Sequence, residues 1–259
     1  MDMIPQDSIV IIGLGQLGRV FAGGFLRSGH VVVPVNRGDD MQAMARAWPH
    51  PRLALVAVAE ADLHPVLAAL PAAWRERVGL LQNELLPRDW QAHGLEAPTV
   101  VSVWFEKKKG TDAKPLLPSP VHGPQAGRVV TALAAIDLPA RVVEDAERML
   151  WELVRKNLYI LTTNIAGLVV GGDVGTLWAQ HRALAEAVAS DVLALQEALT
   201  GRRFDRAELM QGLQEAFAAD PQHACAGRTA AARLERALAL ADTHGLAVPT
   251  LRQIKARSP

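Results

Sequence analysis

Short apolar runs alternate with amphipathic stretches along the first half of the chain. Residues 8–13, SIVIIG, form a compact apolar run rich in β-branched residues, the pattern of a strand buried on both faces. RVFAGGFLRSG follows with helical spacing of its apolar residues, and Gly29-His30 marks a helix stop. HVVVPVN predicts a second strand ending at Asn36-Arg37-Gly38; after a short polar helix, RLALVAVA (52–59) predicts a third. Residues 62–74 are helical in pattern, RVGLLQN (77–83) reads as a fourth strand and TVVSVWF (99–105) as a fifth. The stretch 113–127 carries Pro115, Pro118, Pro120 and Pro124 and reads as loop or edge strand, because proline cannot donate to a central ladder. ARVVED (140–145) is the last strand of the series. Alternation of this kind predicts βαβ units and a parallel sheet.

From about residue 145 the texture changes to long Ala/Leu/Glu/Arg helices. Leu184, Val188, Val192, Leu195 and Leu199 make one apolar helical face. Asp205, three residues before Glu208, resembles a capping box, and a further helix over about 228–244 stops at His244-Gly245 with Pro249 beyond. The expected architecture is α/β: a Rossmann-type, mostly parallel sheet domain over residues 1–142, followed by an all-helical domain over 143–259.

Half of the 259 residues are hydrophobic and 21% are charged, ample for a packed core. Lys+Arg and Asp+Glu both number 27, and a neutral chain lacks the basic surface that nucleic acid or a membrane face requires. It also lacks the charge repulsion that keeps copies apart, so self-association, with a homodimer as its possible form, is open to it. One cysteine excludes an intramolecular disulfide and a Cys-rich metal centre. Acidic Asp2 and Asp7 stand where a signal peptide needs positive charge, and the apolar stretch 158–170 contains Thr162, Thr163 and Asn164 and falls short of the ~20 residues of a membrane helix. A cytoplasmic protein with no membrane or nucleic-acid partner is expected.

The first strand ends in Gly13-Leu14-Gly15-Gln16-Leu17-Gly18 and opens a helix, with a second strand ending about 20 residues on, the context a dinucleotide fingerprint needs. Gly13 permits the tight turn, Gly15 lets backbone approach a pyrophosphate, Gly18 allows close packing, and the helix amides bind the anion. A glycine turn with no ligand is the alternative, but it has no need of three glycines and their backbone entropy. At the end of the second strand, where NAD-binding chains carry a carboxylate, stand Asn36 and Arg37. An arginine there can pair with a 2′-phosphate, which predicts NADP(H) over NAD(H); Asp39 and Asp40 are read as caps of the next helix.

With this fingerprint and a helical second half, the chain resembles the ketopantoate reductase (2-dehydropantoate 2-reductase) family over most of its length. The resemblance rests on IIGLGQLG with Asn36-Arg37, LLQNEL (80–85), LWELVRKNLYILTTNIAGL (150–168) and GRTAAARLERALALADTHGLAVPTL (227–251). It implies NADPH-dependent reduction of a small carbonyl substrate, with Lys156 as catalytic lysine, Asn83 beside the nicotinamide or substrate, and Asn164 in the substrate pocket. Chemistry agrees in part: a lysine ammonium can protonate a carbonyl oxygen as hydride arrives at carbon. On a helix, positions 156, 160 and 164 share one face over about 12 Å. A second register is open, in which Trp151 aligns with the family's tryptophan, Leu153 takes the lysine's place and Asn157 the +4 place; Lys156 is preferred because it brings Asn164-Ile-Ala-Gly-Leu into line.

Several positions depart from the family. Glu84 replaces a glycine after Asn83, Ile160 an asparagine, and Ala230 a glutamate; a lysine expected after the third strand falls near Ala59, and a Ser-Ser-Met stretch is missing before residue 227. A pocket stripped of hydrogen-bonding groups loses discrimination for a hydroxylated substrate, so ketopantoate is not expected as the main one. A non-catalytic NADP(H)-binding sensor is the second reading, and a reductase similar to 6-phosphogluconate dehydrogenases a third. Other groupings read as structural: Gly171-Gly172-Asp173-Val174-Gly175 as a helix break, His223 and Cys225 as loop residues without a metal, Asp145 and Glu147 as a helix start, and Lys107-Lys108-Lys109-Gly110 as a solvated turn.

Overall fold

The computed structural model describes residues 7–257; Asp2, and the start and end of the two expected domains, lie outside the described residues. In chain order the elements are β1 (Ser8–Ile12), α1 (Gln16–Arg27), β2 (Val31–Val35), α2 (Met41–Ala47), β3 (Leu53–Val56), α3 (Leu63–Ala68), β4 (Val78–Leu80), α4 (Pro87–Gln91), β5 (Thr99–Val101), β6 (Phe105–Glu106), β7 (Lys114–Pro115), β8 (Ser119–His122), α5 (Ala126–Ala134) and β9 (Ala140–Val142). Helices α6 (Ala146–Val170), α7 (Val174–Gln180), α8 (Arg182–Thr200), α9 (Arg206–Ala219), α10 (Ala230–Thr243) and α11 (Pro249–Arg257) follow. Residues up to Glu152 form one compact unit and those from Leu153 onward a second, so the division falls inside α6, past the last strand.

The first unit holds a seven-stranded sheet of order β2-β1-β3-β4-β5-β8-β9. The first five of these strands are parallel; β8 runs antiparallel to β5, and β9 parallel to β8. Both faces are covered, as continuous apolar strands require: Ile9, Ile11, Leu53 and Leu55 pack with Phe21 and Phe25 of α1 and Val129 and Leu133 of α5, while the alternate residues Val10, Ala54 and Leu80 are equally buried. Helices α1 and α5 touch through bare backbone, since a Cβ on Gly24 would stand 2.4 Å from the Ala132 carbonyl. The proline-rich stretch differs from its expectation. Ser119–His122 is an interior strand, bracketed by β5 and β9. Pro120 is tolerated because its carbonyl still accepts from the Ser102 N–H, while Ser119 beside it donates to Pro139.

The second unit is helical throughout its described length, and its apolar stripe is tied by buried polar groups. Asn157 of α6 donates to Gln196 of α8 at 2.9 Å. Arg155 donates to the Gly212 carbonyl and pairs with Glu215 of α9. Asp191 of α8 accepts from Thr250 and Leu251, capping α11 from a neighbouring helix. Asp205 caps α9 by accepting from Ala207 and Glu208 at 2.8 and 3.2 Å. The Gly171-Gly172 pair ends α6, and Asp173 caps α7, its carboxyl held below the usual range by the Thr176 N–H. No described helix is long and apolar enough to cross a membrane.

Candidate functional site

In a sheet of this order the chain leaves β1 toward β2 on one side and β3 on the other, and ligands bind open α/β sheets at the strand ends of that switch point. The structure has a cleft of about 530 Å³ there, lined by the ends of β1, β2 and β3 and by α3. Gly13, Leu14, Gly15, Asn36 and Arg37 all line it, together with Asp39, Met41, Val58, Asp62 and Val66. Gln16, Leu17 and Gly18 do not line it; they are the first turn of α1.

The Gly-rich turn is built for close approach. Gly13 adopts φ +96°, donates to the Val35 carbonyl at 2.8 Å, and would set a Cβ 3.0 Å from the Ala57 carbonyl. A Cβ on Gly18 would stand 2.0 Å from the Gly13 carbonyl, so this glycine lets the helix close onto its own entry turn. Gly15 is different: a Cβ there would meet nothing within 4 Å, so no protein atom requires a glycine at this position. The first bond of α1 runs from Arg19 N–H to the Gly15 carbonyl, leaving the Gln16, Leu17 and Gly18 amides without an acceptor inside the helix. No acidic side chain occupies that first turn. Open space before Gly15, free helix amides and an arginine at the end of β2 suit a dinucleotide's phosphates.

The far end of the cleft carries charges of both signs. Asp40 caps α2, accepting from Gln42 and Ala43, as expected; Asp39 instead accepts from the Asn36 N–H at 2.6 Å and lines the cleft. Arg37 is 90% exposed and pairs with Asp62 at 3.1 Å. The sequence reading missed Asp62, since nothing in a helical pattern over 62–74 marks its first residue as facing a strand end 25 positions earlier. Gln82 was also missed. Buried after β4, it donates to the Val56 and Val58 carbonyls at 2.8 and 3.3 Å and so holds the β3 end that lines the cleft. A single amide closing an apolar run was its only signal.

Asn83 follows β4 at its C-terminal end and donates to Glu60 Oε1 at 3.0 Å. Glu84 beside it has φ +62°, so the left-handed turn that suits glycine is kept with a glutamate. Helix α6 is continuous from residue 146 to 170, so Lys156, Ile160 and Asn164 do share a face. Lys156 and Asn164 are half-buried there, whereas Leu153 and Asn157 of the other register are fully buried in the helical unit. Asn164 is engaged by backbone at both ends of its amide: it donates to the Ile160 carbonyl at 2.9 Å and accepts from Gly227 at 3.3 Å. Ala230 is buried at the start of α10, and Arg233 one turn on donates to Thr229.

The 221–225 loop is stitched to the break after α6, with Cys225 N–H donating to Gly172 and Val174 and Gly175 donating to His223 and Pro221. His223 packs against Tyr159, and burial pushes the Cys225 thiol up to about 11, an unreactive state. Among the described residues no group of three His, Cys, Asp or Glu could hold a metal ion.

No protein-family model matches the sequence, and no curated protein matches it. Solved structures do. A ketopantoate reductase from Ralstonia eutropha superposes with a TM-score of 0.69 over 96% of both chains at 17% identity. A dimeric ketopantoate reductase from Staphylococcus aureus gives 0.65 over 96% of both chains at 16%. The fold is that of the ketopantoate reductases. A D-mandelate dehydrogenase, solved with NADH and anilino(oxo)acetate, shares it at a TM-score of 0.67 and 12% identity, covering 95% of this chain and 96% of that one. The ketopantoate reductase fold therefore runs through almost the whole chain, and the resemblance read from the motifs agrees with it.

Proposed function

We propose that the chain is an NADP(H)-dependent oxidoreductase that reduces a small carbonyl compound of the 2-oxo acid type, with ketopantoate not its main substrate. The observation that carries this reading is the cleft at the β1–β3 switch point, with its open Gly15, the first-turn amides of α1 that follow it and Arg37 at the end of β2. A bound nicotinamide supplies the hydride. Gly13, Leu14 and Gly15 would hold the pyrophosphate on the α1 amides, and Asn36 and Arg37 the adenosine end. Lys156 is assigned the proton delivered to the carbonyl oxygen, and Asn83 and Asn164 the orientation of substrate. Half-buried Lys156 and Asn164 support this register over Leu153 and Asn157, which are packed.

Apolar Ile160 and Ala230 support a substrate less polar than ketopantoate, and the likeness to a dehydrogenase named for an aryl hydroxy acid points the same way. The likeness to a dimeric reductase supports a homodimer, and a single, buried, reduced cysteine accords with the cytoplasm. The test is NADPH oxidation against a panel of aliphatic and aryl 2-oxo acids, ketones and imines, with ketopantoate included. Turnover on a 2-oxo acid, reduced at least about 100-fold in Lys156→Ala, is the expected result. Tight nucleotide binding without turnover on the panel would favour a non-catalytic NADP(H)-binding protein. That second reading draws on Asn164, whose amide is already engaged by backbone.

A further inference from the structure

We infer that Asp62 sets the cofactor discrimination of the cleft, by competing with a 2′-phosphate for Arg37. The inference rests on the reading of the cleft as a nicotinamide-nucleotide site. Arg37 is the basic side chain that lines the adenosine end, and it is already joined to Asp62 at 3.1 Å. A second carboxylate, Asp39, lines the same end and is anchored by the Asn36 N–H. One cation therefore faces two anions where a 2′-phosphate would sit.

The Arg37–Asp62 pair is exposed, at 90% and 46% of the two side chains, so it is weak and opens readily. A 2′-phosphate can take the guanidinium, because the phosphate offers more acceptors and nearly two charges. It then displaces the Asp62 carboxylate from its partner and lies close to that carboxylate's own charge. Both effects oppose the phosphorylated nucleotide. Neither opposes a ribose 2′-hydroxyl, to which a carboxylate is a ready acceptor. Arg37 alone would make the cleft strongly selective for NADPH; with Asp62 beside it, NADH also binds.

The test is equilibrium binding of NADPH and NADH, followed by nicotinamide fluorescence, to the full chain and to Asp62→Asn, Arg37→Ala and the double variant. In the wild type the two dissociation constants should differ by less than about tenfold. Asp62→Asn should tighten NADPH about three- to tenfold and change NADH by less than about twofold. The gain should shrink in 0.5 M salt, and in the Arg37→Ala background it should fall to the part that direct repulsion between Asp62 and the phosphate supplies. A structural role for Asp62 would move both nucleotides together, and that outcome, or no change in either, overturns the inference while leaving the cleft reading intact. Failure of the wild type to bind either nucleotide overturns the cleft reading and this inference with it.

Discussion

Gly15 and Gly18 are three positions apart in one motif and do opposite work. Gly18 is required by the protein, because the nearest atom to a Cβ there is a carbonyl oxygen of the same turn at 2.0 Å. Gly15 is required by nothing within 4 Å. Gly18→Ala should therefore lose about 1–3 kcal/mol of stability through overpacking and lose nucleotide binding as a consequence. Gly15→Ala should leave stability within about 1 kcal/mol of wild type, since alanine restricts the unfolded chain while serving slightly worse as a cap, and still weaken NADPH. Urea unfolding and fluorescence titration of both variants separate the roles; equal stability losses would refute the distinction. The glycine spacing was legible in the sequence, but which glycine serves the fold and which faces open space was not, because that depends on which atoms the folded turn brings against each Cβ position.

At the scale of elements, the α3 and α4 regions meet through His64 and His93, whose ring nitrogens lie 2.9 Å apart, with Asp89 3.9 Å from His64. Desolvation, then the neighbouring His64 and Arg75 charges, holds His93 below the ordinary histidine range. The unfolded chain protonates His93 near 6.5 while the folded chain keeps it neutral to lower pH. Stability should accordingly fall as pH drops through 6.5 toward the lowered folded value. Asp89 acts in the opposite sense further into acid: burial raises it above 3.8, so the folded state takes up that proton first and gains as pH falls toward 3.8. His93→Gln should flatten the dependence of the urea midpoint on pH between 7 and 5.5; an unchanged slope would remove His93 as its source. Neither histidine stood out in the sequence. They are 29 residues apart, and only the return of the chain through β4 brings them together.

At the scale of the whole chain, α6 begins in the sheet unit and continues into the helical one, and Glu152 stands at the division. Its carboxylate is buried, bonded to Arg141 of β9 and 3.7 Å from Arg148, which also lies over the Trp151 ring. The arginines are nearly half exposed, so the asymmetry of burial determines which loss matters. Arg141→Ala should cost about 3 kcal/mol in urea unfolding, because it strands most of a buried charge. Glu152→Gln should cost about 1 kcal/mol, because the arginines it releases reach water. The reverse order would mean that packing, not charge, governs this ion-pair cluster.

The parallel strands, the glycine turn, the helical second half and several helix ends were legible because each is encoded locally, by periodicity, β-branching and capping residues such as Asp40 and Asp205. Pro120 misled because a proline rule is statistical, while a strand's place in the sheet depends on which neighbours reach it. Asp62, Gln82 and Asp191 carry no local pattern at all. Each acts on a partner more than 20 residues away, and a pairing of that kind exists only once the sheet order and the helix packing have brought the two segments within hydrogen-bonding distance.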